Sequence, residues 1–387
     1  MPICWRCPSL CEKFFVLLFC FLFSPHASAI DFPEIPSPDI GAPIWLLMDH
    51  DSGRVLASSN ADKPVAPGRL TQLMTAYVLF GKLKSEKWRL DEQVNVTSRA
   101  SNAKGAKLFL RPQTTVRAED LLQGMIVRSA TDAALALVEH VSGSETNFVT
   151  EMNAAARSLG LNHTTFTNAG GYDETGQVST ARDLSLLASA LIRDFPEDYK
   201  KFSQKEFVYQ EINQYNRNAL LWRDSSVDGL KAGFTRNGGY VSIVSAKRDG
   251  MRLIATTLGA RDENTQVDAG QKLLDYGFRY FETRLLYAVN VPAAHVRVWM
   301  GNQSSLPLGL RQNLYLTLPR SWHQKLSARL MVKEMIYAPV PLGQTLGSLS
   351  LDIDRQTLAE YPLVALKEIS TGNFLQRGID RIQLWLR

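Results

Sequence analysis

Arg69 and Gln72 lie three residues apart at the head of the stretch Pro67-Gly68-Arg69-Leu70-Thr71-Gln72-Leu73-Met74-Thr75-Ala76-Tyr77-Val78-Leu79-Phe80. On a helix that spacing puts two side chains on one side, so a guanidinium and a carboxamide would meet at a helix N-terminus. The chemistry available to such a pair is binding. Arginine cannot be acylated, glutamine is no useful proton acceptor at neutral pH, and arginine grips carboxylates through two parallel N–H donors. Taken alone, the pair reads as a solvated polar turn. Thr71 falls about 200° around the helix from Arg69 and should point away from that face.

Other patterns could carry chemistry, and each is weak. Ser101-Asn102-Ala103-Lys104 has Ser-x-x-Lys spacing and Ser58-Ser59-Asn60 has Ser-x-Asn spacing, but two fixed letters arise readily by chance. His50, His140, His163, His295 and His323 show no clustered ligand spacing, so neither a metal nor a cofactor is expected.

The elements that must position Arg69 and Gln72 are legible around them. Leu70, Leu73, Met74, Tyr77 and Val78 recur at helical spacing and predict a helix over residues 69 to 80. Before it, an apolar run over 44 to 48, a Gly-containing turn over 49 to 53 and a second run over 54 to 57 predict a hairpin. Beyond it come short helices over 118 to 126 and 133 to 140. A further helix is capped by Ser179 or Thr180 and striped by Leu184, Leu187, Ala188 and Leu191. Strands over 240 to 246 and 252 to 258 flank the turn Lys247-Arg248-Asp249-Gly250. Strands at both ends of a helical middle give an α+β texture. Composition shifts near Phe281, and from Val289 short β-type runs (294 to 299, 314 to 318, 328 to 332, 347 to 351) predict a separate small β domain.

The two ends of the chain differ in kind. Arg6 and Lys13 precede an apolar run over 14 to 23 and then Ala27-Ser28-Ala29, which reads as an export signal cleaved after Ala29. The run is too short for a spanning helix. Cys4, Cys7, Cys11 and Cys20 all fall inside this segment, so no disulfide is expected to support the mature fold. Losing Arg6, Glu12 and Lys13 moves the net charge from +5 to +4, too mild for a nucleic-acid partner. What remains is long enough for two domains of roughly 100–200 residues each. Residues 30 to 43, with Pro33, Pro36, Pro38 and Pro43, read as an extended leader. At the other end, Leu375, Ile379, Ile382 and Leu386 share a helical face with Phe374, Gly378 and Trp385 beside it, and Arg377 and Arg381 lie across. A helix of about 15 residues is too short to cross a bilayer and suits lying in its interface, arginines toward anionic headgroups.

Ordered landmarks then place the sequence. They are Leu70-Thr71 with Leu73-Met74-Thr75-Ala76-Tyr77, Ser179-Thr180-Ala181-Arg182-Asp183-Leu184, Asn216-Arg217-Asn218 with Leu220-Leu221-Trp222, and Val227-Asp228-Gly229-Leu230-Lys231 with Gly233-Phe234-Thr235. Gly277-Phe278-Arg279-Tyr280-Phe281-Glu282-Thr283 and Gly372-Asn373-Phe374 follow. With these, the chain resembles the low-molecular-weight penicillin-binding D-alanyl-D-alanine carboxypeptidases. The resemblance implies an α+β domain over residues 30 to 287, like the serine DD-peptidases and β-lactamases, with an antiparallel sheet between helices. It further implies an all-β domain over 288 to 368, a membrane-anchoring helix over 369 to 387, and a periplasmic location on the outer face of the inner membrane. Family members remove the terminal D-alanine of peptidoglycan stem peptides through an acyl-serine, and penicillin forms the same kind of ester.

That chemistry asks for three elements: Ser-x-x-Lys on one helix face, a Ser-x-Asn element, and a Lys-Thr-Gly strand that receives the substrate carboxylate and helps form the oxyanion hole. Carried over by resemblance, the nucleophile position holds Arg69 and the base position Gln72. The second element keeps Ser129 but has Ala130 and Thr131 where glycine and asparagine are usual. The third keeps Lys231 and Gly233, beside Phe234, while Ala232 lacks the threonine hydroxyl. Without its nucleophile such a unit retains only ~10³–10⁴-fold over water. The expected protein is a pseudoenzyme that binds stem peptides ending in D-Ala-D-Ala, or protein partners of unknown identity, at an anionic membrane surface. The alternatives are an active serine carboxypeptidase and a purely structural interaction protein.

Overall fold

The computed structural model describes residues 35–236 and 238–386; the export signal and all four cysteines of the sequence reading lie outside the described residues. A five-stranded antiparallel sheet is built from β1 (Ile44–Asp49), β2 (Val55–Ser59), β3 (Val227–Thr235), β4 (Gly239–Arg248) and β5 (Met251–Ala260), in the order β2-β1-β5-β4-β3. The predicted hairpin and the predicted strand pair thus become neighbours, with Ile44 opposite Leu258 and Asp49 opposite Leu253. Strand β1 is buried on both faces, which explains why its apolar residues run without alternation. Trp45 and Leu47 pack with Leu273, Leu274 and Phe278 of the helix Glu263–Tyr280, capped by Asp262. Leu46 and Met48 face a second, larger core with the helices Thr71–Lys84, Thr131–Ser142, Glu145–Ser158 and Ala181–Asp194. Helices therefore cover the sheet on both sides.

The helix at the head of the groove differs from its sequence expectation. It is α-helical over Thr71–Lys84, and Gly68–Leu70 form a 3-10 turn before it. Nine of its residues from Thr71 to Phe80 are buried, so it is enclosed by the larger core and has no solvated side at its start. Helix Ala181–Asp194 begins as expected, with Thr180 Oγ1 accepting from Asp183 N. Helices Glu145–Ser158 and Glu263–Tyr280 were not among the sequence-predicted elements, whereas strand β3 was expected only through the resemblance, as the strand carrying Lys231 and Gly233.

At Phe281 the chain passes from helix to strand. Phe281–Tyr287 pairs with Leu314–Pro319, and a six-stranded sheet follows with Leu326–Val332, Thr345–Ile353, Gln356–Ala365, Ser305–Gly309, Ala294–Trp299 and Ile336–Tyr337 in that spatial order. Its core is aliphatic, centred on Leu306, Leu308, Leu349, Leu351 and Leu363. Asp49, fully buried at the end of β1, ties this domain to the first. Its Oδ1 accepts from Ser52 N and Ser52 Oγ, its Oδ2 accepts from Thr283 Oγ1 at 2.7 Å, and Thr317 Oγ1 lies 2.6 Å from Ser52 Oγ and 2.7 Å from Thr283 Oγ1.

The last element is the helix Phe374–Trp385, opened by a capping box in which Asn373 and Gln376 satisfy each other's backbone N–H. Its mid-point residue Asp380 accepts from Met300 N at 2.6 Å and pairs with Arg297 at 3.2 Å, and Arg297 also donates to Gln383. Phe374, Leu375, Ile379, Ile382, Trp385 and Leu386 are all exposed, as are Arg377 and Arg381. Among the described residues, no helix is long and apolar enough to cross a membrane.

Candidate functional site

The 3-10 turn delivers Arg69 onto the same side as Gln72, and both converge on one acceptor. Arg69 Nη1 donates to Gly170 O at 3.0 Å and to Thr131 Oγ1 at 2.7 Å. Gln72 Nε2 donates to the same Gly170 O at 3.0 Å and to Ser129 O at 3.3 Å. The solvated reading of this turn is corrected here: Gln72 is only 1% exposed, because the Ser129 turn and the Gly170 loop close over it. Its Oε1 finds no hydrogen-bond partner among the described residues, and neither do Thr71 Oγ1 and Ser129 Oγ. Thr71 lines neither cavity at the site, consistent with its place on the helix.

Ser129 is set by its backbone. Helix Ala118–Gln123 loosens into a wider π-type turn, Gly124–Arg128, and Ser129 then adopts φ +59°, a left-handed conformation that costs a serine free energy. Thr131, at the start of the next helix, is fully buried with its hydroxyl engaged by Arg69.

Lys231, Ala232, Gly233 and Phe234 lie on β3, opposite Ile243, Ser242, Val241 and Tyr240. The Lys231 amine is turned into the protein, 2% exposed, donating to Met125 O at 2.9 Å and Ile126 O at 3.2 Å. Burial, and then the charge of Arg69, pull its pKa down to about 7. Lys231 lines neither cavity at the site. The cations that do are Arg69, which lines both, Arg99, Lys104 and Arg236 in the larger, and Arg128 and Arg217 in the smaller. Burial lowers the pKa of Arg69, with Asp173 opposing and Arg217 reinforcing the shift, yet a guanidinium keeps its proton at any physiological pH.

Two cavities meet at Arg69. The larger, about 1000 Å³, is lined by Arg69, Arg99, Lys104, Tyr172, Asp173 and Arg236, among others. The smaller, about 360 Å³, is lined by Ser129, Ala232, Gly233, Arg128, Arg217 and again Arg69. Phe234, half exposed, borders both. Arg69 runs between close walls. A Cβ on Gly233 would lie 2.6 Å from Arg69 Cβ, and a Cβ on Gly105 would lie 2.0 Å from Arg69 Nη2, so neither wall tolerates a larger residue while the guanidinium is in place.

The arrangement offers N–H donors, positive charge and an aromatic rim, suited to holding an anionic, partly apolar ligand. The weak alternative motifs do not assemble a second centre. Ser101 Oγ donates to Leu110 O, Asn60 Nδ2 donates to Pro43 O, and of the two motifs only Asn102, Ala103 and Lys104 reach the larger cavity. Sequence reasoning named Arg217 only as a landmark and did not single out Arg128, Gly170 or Asp173. The left-handed turn before Ala130 and the paired glycines at 170 and 171 carry no chemistry of their own in a sequence, so only the fold shows them as site residues.

The sequence profile of the D-alanyl-D-alanine carboxypeptidase family matches residues 32–262, and that of the penicillin-binding protein 5 C-terminal domain matches residues 281–371. Over 374 residues the chain is 37% identical to D-alanyl-D-alanine carboxypeptidase DacC of Escherichia coli, covering 95% of this chain and 93% of that one. It is likewise 37% identical to DacA of the same organism, covering 94% and 93%. The crystal structure of penicillin binding protein 5 from Haemophilus influenzae superposes with a TM-score of 0.82 at 34% identity, covering 87% of this chain and all of that one. On both its α+β domain and its β domain, the chain belongs to the low-molecular-weight penicillin-binding D-alanyl-D-alanine carboxypeptidase family.

Proposed function

We propose that this protein is a catalytically silent member of its family, which holds peptidoglycan stem peptides in the groove around Arg69 without cleaving them. The observation that carries the reading is the pair at the helix head. Arg69 occupies the nucleophile position and Gln72 the base position, and both are fastened to Gly170 O. A guanidinium cannot form an acyl ester, and a buried carboxamide cannot relay a hydroxyl proton. Thr131 spends its hydroxyl on Arg69, Ala232 has none, and the Lys231 amine is directed at two backbone carbonyls. In place of catalysis, Arg69 and Phe234 stand where the two cavities meet, with Arg99, Lys104 and Arg236 on one side and Arg128 and Arg217 on the other, a cationic groove fitted to a peptide carboxylate at Arg69.

In this reading residues 1–29 direct export, 30–287 and 288–368 form the two domains, and the helix within 369–387 rests on the outer face of the inner membrane. Support for that last element is its exposed stripe of Phe374, Leu375, Ile379, Ile382, Trp385 and Leu386, with Arg377 and Arg381 available to anionic headgroups.

The deciding experiment is labelling with fluorescent penicillin together with release of D-alanine from a pentapeptide. Neither signal is expected; stoichiometric labelling or steady release would sink the silent reading. Substituting Arg69→Ser, Gln72→Lys, Thr131→Asn and Ala232→Thr together is expected to restore covalent labelling. Calorimetry with muropeptides tests binding itself.

A further inference from the structure

The course of Arg69 bears on what length of peptide the groove accepts, an inference that rests on the stem-peptide reading above. The Arg69 side chain is the partition between the two cavities, since it lines both, with Gly105 closing on its guanidinium and Gly233 on its Cβ and Cγ. It is held in that position by Thr131 Oγ1 and Gly170 O, both bound through Nη1. Among the described residues no carboxylate lies within ion-pairing distance of it, and Nε and Nη2 have no hydrogen-bond acceptor. A guanidinium fixed on one nitrogen, with donors remaining on the other two, is pre-oriented for a planar anion.

The larger cavity has the matching features. It is roomy enough for several residues, with Tyr172 and Phe234 as apolar surfaces. Asp173 and Glu174 sit on its wall together with Lys104 and Arg236, so amino and carboxyl groups of one peptide both find opposite charge there. A chain lying in that cavity runs into Arg69. A peptide that ends at this point presents its terminal carboxylate to the guanidinium. A peptide with one more residue presents an uncharged amide there, and must displace Arg69 from Thr131 and Gly170 to reach the smaller cavity.

We infer that the groove is a reader of shortened stems: it binds peptides whose free D-alanyl carboxylate stops at Arg69, and discriminates against the same peptide extended by a further D-alanine. In reaction terms, it recognises what a D-Ala-D-Ala carboxypeptidase leaves behind.

The test is calorimetry on the full-length protein with three ligands: a stem tetrapeptide ending in one D-alanine, the pentapeptide ending in D-Ala-D-Ala, and the tetrapeptide as its C-terminal amide. The tetrapeptide is expected to bind at least tenfold tighter than either other ligand. Arg69→Ala should abolish that preference, and Arg69→Lys, which keeps charge but loses the fork, should reduce it while guarding against a folding defect. Equal affinities, a tighter pentapeptide, or a preference that survives Arg69→Ala overturns the inference and leaves the stem-peptide reading standing. Failure of all three ligands to bind overturns both.

Discussion

Two buried polar clusters in this molecule are built on opposite terms. At the domain junction, Asp49, Ser52, Thr283 and Thr317 form a closed ring of hydroxyl and carboxylate contacts of 2.6–2.7 Å, and Arg54 donates to Thr317 O beside it. At the groove, Ser129 Oγ on the wall of the smaller cavity and, behind it, Gln72 Oε1 and Thr71 Oγ1 have no partner among the described residues, and the charge of Arg69 adds to burial in lowering the proton affinity of Lys231. A polar cluster that serves the fold satisfies itself, because an unmade buried hydrogen bond costs more than a made one gains. One that serves a ligand stores unmet capacity until the ligand arrives. The groove has this second character, with Arg69 and Gln72 at the head of its helix.

Substitutions can break or sharpen that contrast. The largest effect is expected at the junction: Asp49→Ala leaves three donors facing each other in a dry site and should cost about 3 kcal/mol, read as a drop in the thermal or urea midpoint. An Asp49→Ala protein as stable as the parent would erase the distinction between the clusters. In the groove the sign should reverse. Lys231→Met removes a buried charge and is expected to stabilise by about 2 kcal/mol at pH 6. Its advantage should shrink with alkalinity. The amine titrates near 7 in the fold and at 10.5 when unfolded, so between those values the unfolded chain holds more protons and rising pH favours the parent fold. Unfolding midpoints of the two proteins measured at pH 6, 8 and 10 check this; a constant gap would refute it. The smallest effect is the most direct comparison. Thr→Val at 283 removes a paired hydroxyl at the junction and at 71 an unpaired one in the core behind the groove, and should destabilise by about 1 kcal/mol at the junction while being neutral or slightly stabilising at 71.

Much of this was legible before any coordinates. Strict apolar spacing gave away the helix at 71–84, the caps gave the helix at 181–194, and a Gly-containing turn between apolar runs gave the first hairpin. The residue types at 69 and 72 were also visible, because an arginine or a glutamine is read directly from the sequence. What spacing could not reveal was enclosure. Gln72 looks solvated in a sequence and is buried because two distant segments, Ser129 and Gly170, close on it. Lys231 looks like an anion receptor on a strand, and its amine turns inward because carbonyls 105 and 106 residues away are within reach. The division of the groove depends on glycines at 105 and 233 meeting one side chain, a coincidence of tertiary structure with no local signature.

The terminal helix is fastened at three points: Gly372 N donates to Met300 O just before its start, Asp380 accepts from Met300 N and pairs with Arg297 at its middle, and Gln383 accepts from Arg297 near its end. Its rotation about its own axis is therefore fixed by the domain above it before any surface is met. On a flat surface seated against Leu375, Ile379, Ile382 and Leu386, the β domain would not swivel as a tethered body does. It would stand at one heading, because contacts spread along the helix hold that heading against thermal roll.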